Sequence, residues 1–288
     1  MRDWLATLVE RLRATREPIV RVVVAATRGS APRDAGACML VSADREWGTI
    51  GGGHLELVAT QTARGMLAAP PGSRRSDRFS LGASLGQCCG GIVELAFQRH
   101  DDADLASLEG MLAARGNAVP GETDLWLFGA GHVARALVNV LAELPFRITW
   151  IDSREAMLPR ELPASVRSLH SPYPAEEVKD MPAGAWALVM THSHDEDLAI
   201  CEALLADGRF AWAGVIGSAP KTKRFRQKLT QRGFAADAIA RLTMPIGIAS
   251  IRSKEPAAIA VAVAAQLLQV REAAANASTG HGAAARGS

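Results

Sequence analysis

The order of apolar and polar positions between residues 125 and 152 predicts three consecutive elements. Leu125–Phe128 is an unbroken apolar run, which is typical of a parallel strand covered on both faces. From His132 to Leu144 the apolar residues recur every three or four positions, the period of one helical face. A second apolar run, Ile148–Ile151, ends at Asp152. The pattern therefore predicts strand, glycine turn, helix and strand, the first unit of a dinucleotide-binding fold.

Small residues in the predicted turn each have a physical reason to be there. Gly129 permits the tight turn, and Gly131 lets the backbone approach a pyrophosphate. Ala134 stands where a third small residue allows the helix to pack closely on the strand. The helix begins at His132, and its first N–H groups lack partners within the helix. This turn is therefore a candidate site for an anion.

The acid that closes the second strand has two possible partners. Asp152 follows the glycine turn at about the 20-residue spacing at which a carboxylate meets a ribose hydroxyl. Arg154, two positions later, could instead accept a phosphate. The sequence leaves both possibilities open.

Two further apolar runs extend the predicted parallel sheet. Ala185–Met190 and Ala211–Ile216 indicate buried strands, and both lead into polar loops. In a doubly wound sheet such loops gather at the carboxyl edge, where ligands bind. Thr191 and His192 are therefore candidate contacts for a phosphate.

The polar loop after residue 190 also raises the possibility of a metal site. His192, His194 and the carboxylates that follow could hold a divalent ion, as in a metal-dependent hydrolase. The run departs from a zinc-hydrolase pattern, however, because Glu196 and Asp197 stand where Asp and His are needed. We therefore expect no metal site here and expect Ser193 or Asp195 to cap the following helix.

The first part of the chain has a different pattern, in which glycines interrupt short strands. A β-branched strand, Ile19–Ala26, is followed by polar turns and by Ala37–Val41. Gly51, Gly52 and Gly53 directly precede a helix, which indicates either close packing or close approach of a ligand. This pattern predicts an N-terminal α+β domain.

A second glycine-rich turn contains the adjacent residues Cys88 and Cys89. Adjacent cysteines do not easily chelate one metal together, and neither has a partner pair at zinc spacing, so zinc is not expected. A thiol beside glycine N–H groups could have a lowered pKa and meet a soft ligand such as molybdenum or a sulfur donor. The alternative is that both are small residues in a tight loop.

The change from glycine-interrupted strands to an orderly parallel pattern places a domain boundary near Pro120. We predict an α+β domain over 1–120 and a Rossmann-like doubly wound parallel sheet over 121–271. The low-complexity segment 272–288 is expected to be disordered. The fold class is thus α/β.

Composition limits the classes of function. The 288 residues are 48% hydrophobic and 22% charged, enough for two domains. A net charge of +2 gives no electrostatic reason to expect a nucleic acid partner. The charged first residues argue against a secretory signal, and no apolar run reads as long enough to span a bilayer. Four unevenly spaced cysteines do not form a disulfide framework, so we expect a cytoplasmic protein without a membrane partner.

The dinucleotide pattern alone would also suit an NAD(P)-dependent oxidoreductase. Such an enzyme needs a proton donor, for example a Tyr-x-x-x-Lys pair. The single tyrosine, Tyr173, lies in a loop flanked by prolines and has no such partner. We find no Ser/His/Asp or Cys/His arrangement either.

Several motifs occurring in one order resemble the xanthine dehydrogenase accessory proteins of the XdhC family. The resemblance extends to about Arg271. It is carried by RGSAPRDAG (28–36), GTIGGGHLE (48–56), LGQCCGG (85–91), FGAGHVARAL (128–137), MTHSHDED (190–197), GVIGSAPKTKRF (214–225), MPIGI (244–248) and KEPAAIAVAVAAQ (254–266). Some relatives have a cysteine where this chain has Gly53 or His54, so a role for that thiol does not transfer.

The resemblance implies a chaperone-like protein without catalytic residues. Such a protein binds molybdenum cofactor (molybdopterin), protects it while a cysteine desulfurase supplies the terminal sulfido ligand, and inserts it into an apo xanthine dehydrogenase-type molybdoenzyme. Molybdenum would be held only through the cofactor, and a homodimer is implied. The pterin phosphate is then expected at the turn from Gly129 to His132, and pterin or phosphate at Thr191 and His192. Asp152 would meet a ribose only if the dinucleotide form of the cofactor binds.

Overall fold

The computed structural model describes residues 3–81, 90–115 and 121–284. The chain divides into two compact units, residues 1–120 and 121–288. Each unit has its own sheet and its own apolar core.

The first unit is built on an antiparallel sheet of five strands. Its described elements are α1 (Trp4–Thr15), β1 (Ile19–Arg28), β2 (Cys38–Val41), β3 (Glu46–Gly48), α2 (Gly53–Met66), β4 (Arg74–Ser80), β5 (Ile92–His100) and α3 (Leu105–Arg115). The strand order is β3-β2-β1-β5-β4. Alternate residues of β1 point to opposite faces, so that Val20 and Val22 pack with Leu55 of α2 while Ile19 packs with Leu8 of α1. The predicted α+β domain is confirmed.

The second unit is a parallel sheet of six strands with helices on both faces. Its described elements are β6 (Thr123–Phe128), α4 (His132–Leu141), β7 (Phe146–Asp152), β8 (Val166–His170), β9 (Trp186–Val189), α5 (His194–Asp207), β10 (Trp212–Val215), α6 (Ala219–Gln231), α7 (Ala236–Ala240), β11 (Leu242–Thr243) and α8 (Pro256–Ala284). The strand order is β8-β7-β6-β9-β10-β11, the doubly wound Rossmann arrangement. The predicted fold class is confirmed.

Strand β6 shows why this part of the chain forms a central strand. Leu125 and Leu127 pack on the side of the sheet that α4 and α8 cover. Trp126 and Phe128 pack on the other side, against α5 and α6. Both faces need apolar residues, which explains the unbroken apolar run. Strands β6 and β9 are neighbours at the point where the strand order reverses, so the loops that follow them meet at the carboxyl edge.

Helix α8 corrects two expectations. It runs to Ala284, so helix extends into the segment 272–288 that was expected to be disordered. Alanine is the best helix former, and this segment is rich in it. The stretch Pro256–Asn276, with mean hydropathy 1.3, is also long and apolar enough to be a candidate membrane span by length and composition. The expectation that no such run exists is therefore wrong.

One face of α8 lies in the core of the second unit. Ala260, Val263, Ala264 and Leu267 are buried at helical spacing and pack with the cluster that includes α4. Val261, on another face, is 52% exposed. The helix therefore has the packing of an amphipathic core helix, although its sequence is apolar on more than one face.

Candidate functional site

The glycine turn after β6 has the geometry that its sequence predicts. Gly129 has φ +108°, a region that side chains rarely adopt. A Cβ at this position would lie 2.6 Å from the carbonyl carbon of Met190, 2.8 Å from Cα of Thr191 and closer still to the Met190 oxygen. The carbonyl of Gly129 also accepts a hydrogen bond from Trp150 Nε1 at 2.9 Å. Gly129 is therefore required by the contact between the loops after β6 and β9.

Gly131 is a glycine that the fold does not explain. Its φ is −73°, and a Cβ built on it meets nothing within 4 Å. It is the N-cap of α4, and no side chain of the described residues accepts from the first N–H groups of this helix. By contrast, Ser193 and Ser218 cap α5 and α6 with their side chains. The start of α4, at His132, thus combines uncapped backbone donors with open space beside them.

Asp152 lies at the end of β7, and its carboxylate points into the interior of the second unit. It is 1% exposed and accepts hydrogen bonds from Arg154 and from the N–H of Ala130 in the glycine turn. Burial alone would raise the pKa of this carboxyl, yet the hydrogen bonds from Arg154 and Ala130 hold the pKa below its ordinary value. Asp152 is therefore an ionised group that ties β7 to the glycine turn.

The loop after β9 is held by a buried ion pair that the sequence interpretation missed. Asp197 Oδ1 accepts hydrogen bonds from the backbone N–H and the hydroxyl of Thr191, at 2.9 and 2.8 Å. Asp197 Oδ2 accepts from Lys221 Nζ at 2.5 Å, and Lys221 also donates to the carbonyl of Ile216 at 2.9 Å. Lys221 thereby links the loop after β9 to the loop after β10. Both residues lie in motifs that carry the resemblance, but sequence spacing does not pair them.

The two histidines of this loop are on the surface. His192 and His194 are exposed, and His194 meets the ring of Phe225 edge-on at 6.3 Å. Among residues 3–81, 90–115 and 121–284, no group of three or more His, Cys, Asp or Glu side chains could hold a metal ion. Ser193, rather than Asp195, accepts from the N–H of Glu196 and caps α5.

In the first unit, the three glycines before α2 fold around a carboxylate. Gly51, Gly52 and Gly53 have φ of +125°, +76° and +66°. Glu56 accepts hydrogen bonds from the N–H groups of Ile50 and Gly52, at 2.9 and 3.1 Å. The N–H of Gly51 donates to the hydroxyl of Thr49, which donates to Glu56 at 2.5 Å. Two of the three glycine N–H groups thus point to partners inside the loop, and a ligand contact here stays a prediction.

The motif of residues 28–36 meets this loop. A Cβ at Gly51 would lie 2.6 Å from Cβ of Pro32, and one at Gly91 would lie 2.7 Å from the carbonyl oxygen of Arg28. The motif of residues 28–36 therefore packs closely against Gly51 of the second motif and against Gly91, the last residue of the third. Sequence spacing did not predict these contacts, although Gly51 and Gly91 both lie in motifs that carry the resemblance.

The cysteines divide into two groups. Cys88 and Cys89, the predicted metal contacts, lie outside the described residues. Cys38 and Cys201 are buried and free. Burial raises the pKa of the Cys38 thiol to about 11 and that of Cys201 to about 12. Neither of these two is therefore a thiolate at neutral pH, the form that reacts or binds metal.

Comparison with known proteins covers both units. The family described as the XdhC Rossmann domain matches residues 125–267, and the family described as XdhC and CoxI matches residues 12–76. The two matches occur in the same order as the two units. The chain belongs to the XdhC family. The resemblance read from the motifs is thereby confirmed.

Two known proteins show how far the similarity extends along this chain. The uncharacterized protein YqeB of Escherichia coli (strain K12) is 32% identical over 262 residues, which are 88% of this chain. The chain spans 44% of the length of that relative. A solved structure from Bacillus halodurans, described as a xanthine dehydrogenase, has a TM-score of 0.76 at 21% identity and covers 93% of this chain and 96% of its own. At that identity the likeness shows the fold alone.

Glu56 provides a first test of the loop geometry in this XdhC chain. We expect Glu56→Ala to lower the free energy of unfolding by about 1–3 kcal/mol, because the partly buried N–H groups of Ile50 and Gly52 lose an ionised acceptor. Glu56→Gln keeps one acceptor oxygen and should lose less. Hydrogen exchange at Ile50 and Gly52 should accelerate in the order wild type, Gln, Ala; equal exchange in all three proteins would contradict the hydrogen bonds.

The same carboxylate predicts a pH dependence. Burial would raise the pKa of Glu56, but hydrogen bonds from Thr49, Ile50 and Gly52 hold the pKa below its ordinary value of 4.5. Its stabilisation is therefore complete above pH 4.5 and is lost as pH falls through the lower, folded-state pKa. The stability difference between wild type and Glu56→Gln should shrink over that range.

Proposed function

We propose that the chain is an accessory protein that binds molybdenum cofactor, protects it during sulfuration by a cysteine desulfurase, and delivers it to an apo xanthine dehydrogenase-type enzyme. Membership of the XdhC family supports the accessory role. The cofactor supplies molybdenum redox chemistry to the target enzyme once it is bound there. A cytoplasmic location and a homodimer belong to the same proposal and rest on the resemblance.

The observation that carries the cofactor site is the open space at Gly131. A phosphate is a compact anion that needs several N–H donors and no side chain in its path. The start of α4 offers both, because Gly131 leaves room where a Cβ would project and, in the part of the chain that the structure describes, no side chain caps the helix. The residues at this turn therefore fit the phosphate end of a pterin.

The neighbouring loop would support the rest of the ligand. Thr191 lies against Gly129, and its position is set by Asp197 and Lys221. His192 follows it at the surface, where its imidazole can donate or accept a hydrogen bond. In this proposal Gly131 and His132 hold the phosphate, and Thr191 and His192 contact the pterin. None of these roles needs a proton to move or a bond to break, which agrees with a carrier.

The alternative class, an NAD(P)-dependent oxidoreductase, draws support from the strand order alone. Asp152 counts against it, because its carboxylate is bonded within the chain. Tyr173 is 69% exposed and lies before a short 3₁₀ helix. Reduction of a carbonyl substrate with NADH or NADPH, at a rate above that without the protein, would favour the alternative.

Gly131→Ala tests the proposed site. We expect this variant to keep a free energy of unfolding within about 1 kcal/mol of wild type, because alanine is a poorer N-cap than glycine but lowers the conformational entropy of the unfolded chain, and the two effects offset each other. Its affinity for a molybdopterin-type phosphopterin should fall by about tenfold or more, the loss of one charge-assisted hydrogen bond.

The functional readout is reconstitution of an apo xanthine dehydrogenase. Wild type loaded with cofactor should activate the enzyme faster than the same amount of free cofactor, and Gly131→Ala should show less of this gain. Lys223→Met serves as the control, because Lys223 is exposed on α6 and no partner is found for it within the described residues. Equal activation by wild type and Gly131→Ala would show that the turn at Gly131 does not bind the cofactor.

A further inference from the structure

All of the hydrogen-bonding capacity of Asp152 is used inside the chain. Its Oδ1 accepts from the backbone N–H and from Nε of Arg154, both at 2.9 Å. Its Oδ2 accepts from Nη2 of Arg154 at 3.0 Å and from the N–H of Ala130 at 2.5 Å. An ionised carboxylate offers about four lone-pair sites, so these four donors saturate it.

A ribose diol would need that capacity. In dinucleotide-binding Rossmann folds, the acid at the end of the second strand accepts hydrogen bonds from ribose hydroxyls. Here the carboxylate is 1% exposed, and the guanidinium of Arg154 lies over it. A diol could reach Asp152 only by displacing a bidentate, charge-assisted pair, which is stronger than the neutral donors that would replace it.

Arg154 is held in this position chiefly by Asp152. Its guanidinium donates two hydrogen bonds to that carboxylate, and these bonds raise the pKa of Arg154. Glu196, which accepts a hydrogen bond from Ser153 at 2.9 Å, adds a smaller electrostatic attraction. Although 36% of the Arg154 side chain is exposed, its displacement would break both hydrogen bonds to Asp152, so the closed arrangement of Asp152 is the favoured one.

We propose that Arg154 is a specificity-determining residue. By binding both carboxylate oxygens of Asp152, it prevents ligands with a free ribose diol from binding at the Rossmann turn. The inference rests on the proposed function and narrows its ligand class. The turn then takes a cofactor whose phosphate is a monoester without a nucleoside. The dinucleotide form of the cofactor and the nicotinamide dinucleotides both carry a ribose and are disfavoured.

The test uses ADP-ribose, which carries ribose diols and a pyrophosphate but no pterin. Calorimetric titration of the full-length wild type gives the reference affinity, which we expect to be weak. Arg154→Gln releases both oxygens of Asp152 from the guanidinium and should gain affinity for ADP-ribose by about tenfold or more, as one added hydrogen bond to a charged group would give. Combining Arg154→Gln with Asp152→Asn should abolish that gain.

Arg154→Lys provides a second test in case Arg154→Gln does not fold. It keeps the positive charge beside Asp152 but lacks the planar fork that binds both oxygens, so it should fold and show part of the gain. Circular dichroism identifies the folded variants. Wild type that binds ADP-ribose as tightly as the folded variants would overturn the role of Arg154, and so would folded variants that gain no affinity.

Titration of wild type with a phosphopterin separates this proposal from the proposed function. If wild type binds no phosphopterin, the cofactor site at the turn is wrong. In that case the affinities of wild type and of the Arg154 variants for ADP-ribose still show whether Arg154 keeps a ribose diol from Asp152.

Discussion

Gly129→Ala is expected to lower the free energy of unfolding of the second unit by about 4 kcal/mol, the combined cost of an overpacked contact and of a strained backbone. The new Cβ would lie 2.6 Å from the Met190 carbonyl carbon and 2.8 Å from Cα of Thr191. Both are backbone atoms of a loop that Asp197 holds, so no flexible side chain can move aside. The φ of +108° adds strain for any residue with a Cβ.

The measurement for Gly129→Ala is thermal and urea unfolding of the full chain. A loss of this size should lower the melting temperature by about 10 °C in a unit of this length. Gly131→Ala is the matched control, because it adds the same methyl group two residues away, where nothing lies within 4 Å. Equal stability of the two variants would show that the loops after β6 and β9 do not pack as described.

Lys221→Met is expected to destabilise the second unit by about 3–5 kcal/mol, because it leaves the buried carboxylate of Asp197 without its counter-charge. The side chain of Asp197 is 1% exposed and that of Lys221 is 13% exposed. Methionine retains most of the aliphatic stem, which lies beside Gly217. It loses the ammonium group, which pairs with Asp197 and lies 5.0 Å from the centroid of the Phe225 ring. The loss should therefore reflect the charge rather than the packing of the stem.

A double-mutant cycle isolates this ion pair. Asp197→Asn keeps an oxygen that can accept from the N–H of Thr191, so we expect Asp197→Asn with Lys221→Met to lose less than the sum of the single losses. Lys223→Met, which removes an exposed lysine from the same helix, should change stability by less than about 0.5 kcal/mol. A loss below about 1 kcal/mol for Lys221→Met would mean that the pair is not buried as described.

The central unit, β6–α4–β7, could be predicted because its information is local. An apolar run, a glycine turn and a helical period each lie within a few residues, and the second strand ends at Asp152 as expected. The packing of Gly129 against the loop after β9 could not be predicted from such local patterns. It depends on two strands that are neighbours in space and distant in sequence.

Other features depend on contacts that sequence spacing does not carry. Asp152 has the spacing of a ribose ligand, but the orientation of its carboxylate depends on Arg154 and Ala130. Asp197 was read as part of a polar loop, whereas Lys221, 24 residues later, makes it half of a buried ion pair. For helix α8 the local information was present but was interpreted wrongly. Low complexity suggested disorder in a segment whose alanine content favours a helix.

The pterin content of the purified protein tests cofactor binding most directly. The full chain is purified from cells that make molybdenum cofactor and from cells that do not, and bound pterin is assayed by the fluorescence of its oxidised form. We predict enrichment of pterin over an unrelated protein from the same cofactor-producing cells, and less enrichment for Gly131→Ala. Pterin at the level of the unrelated protein would contradict the proposal that this XdhC chain carries the cofactor.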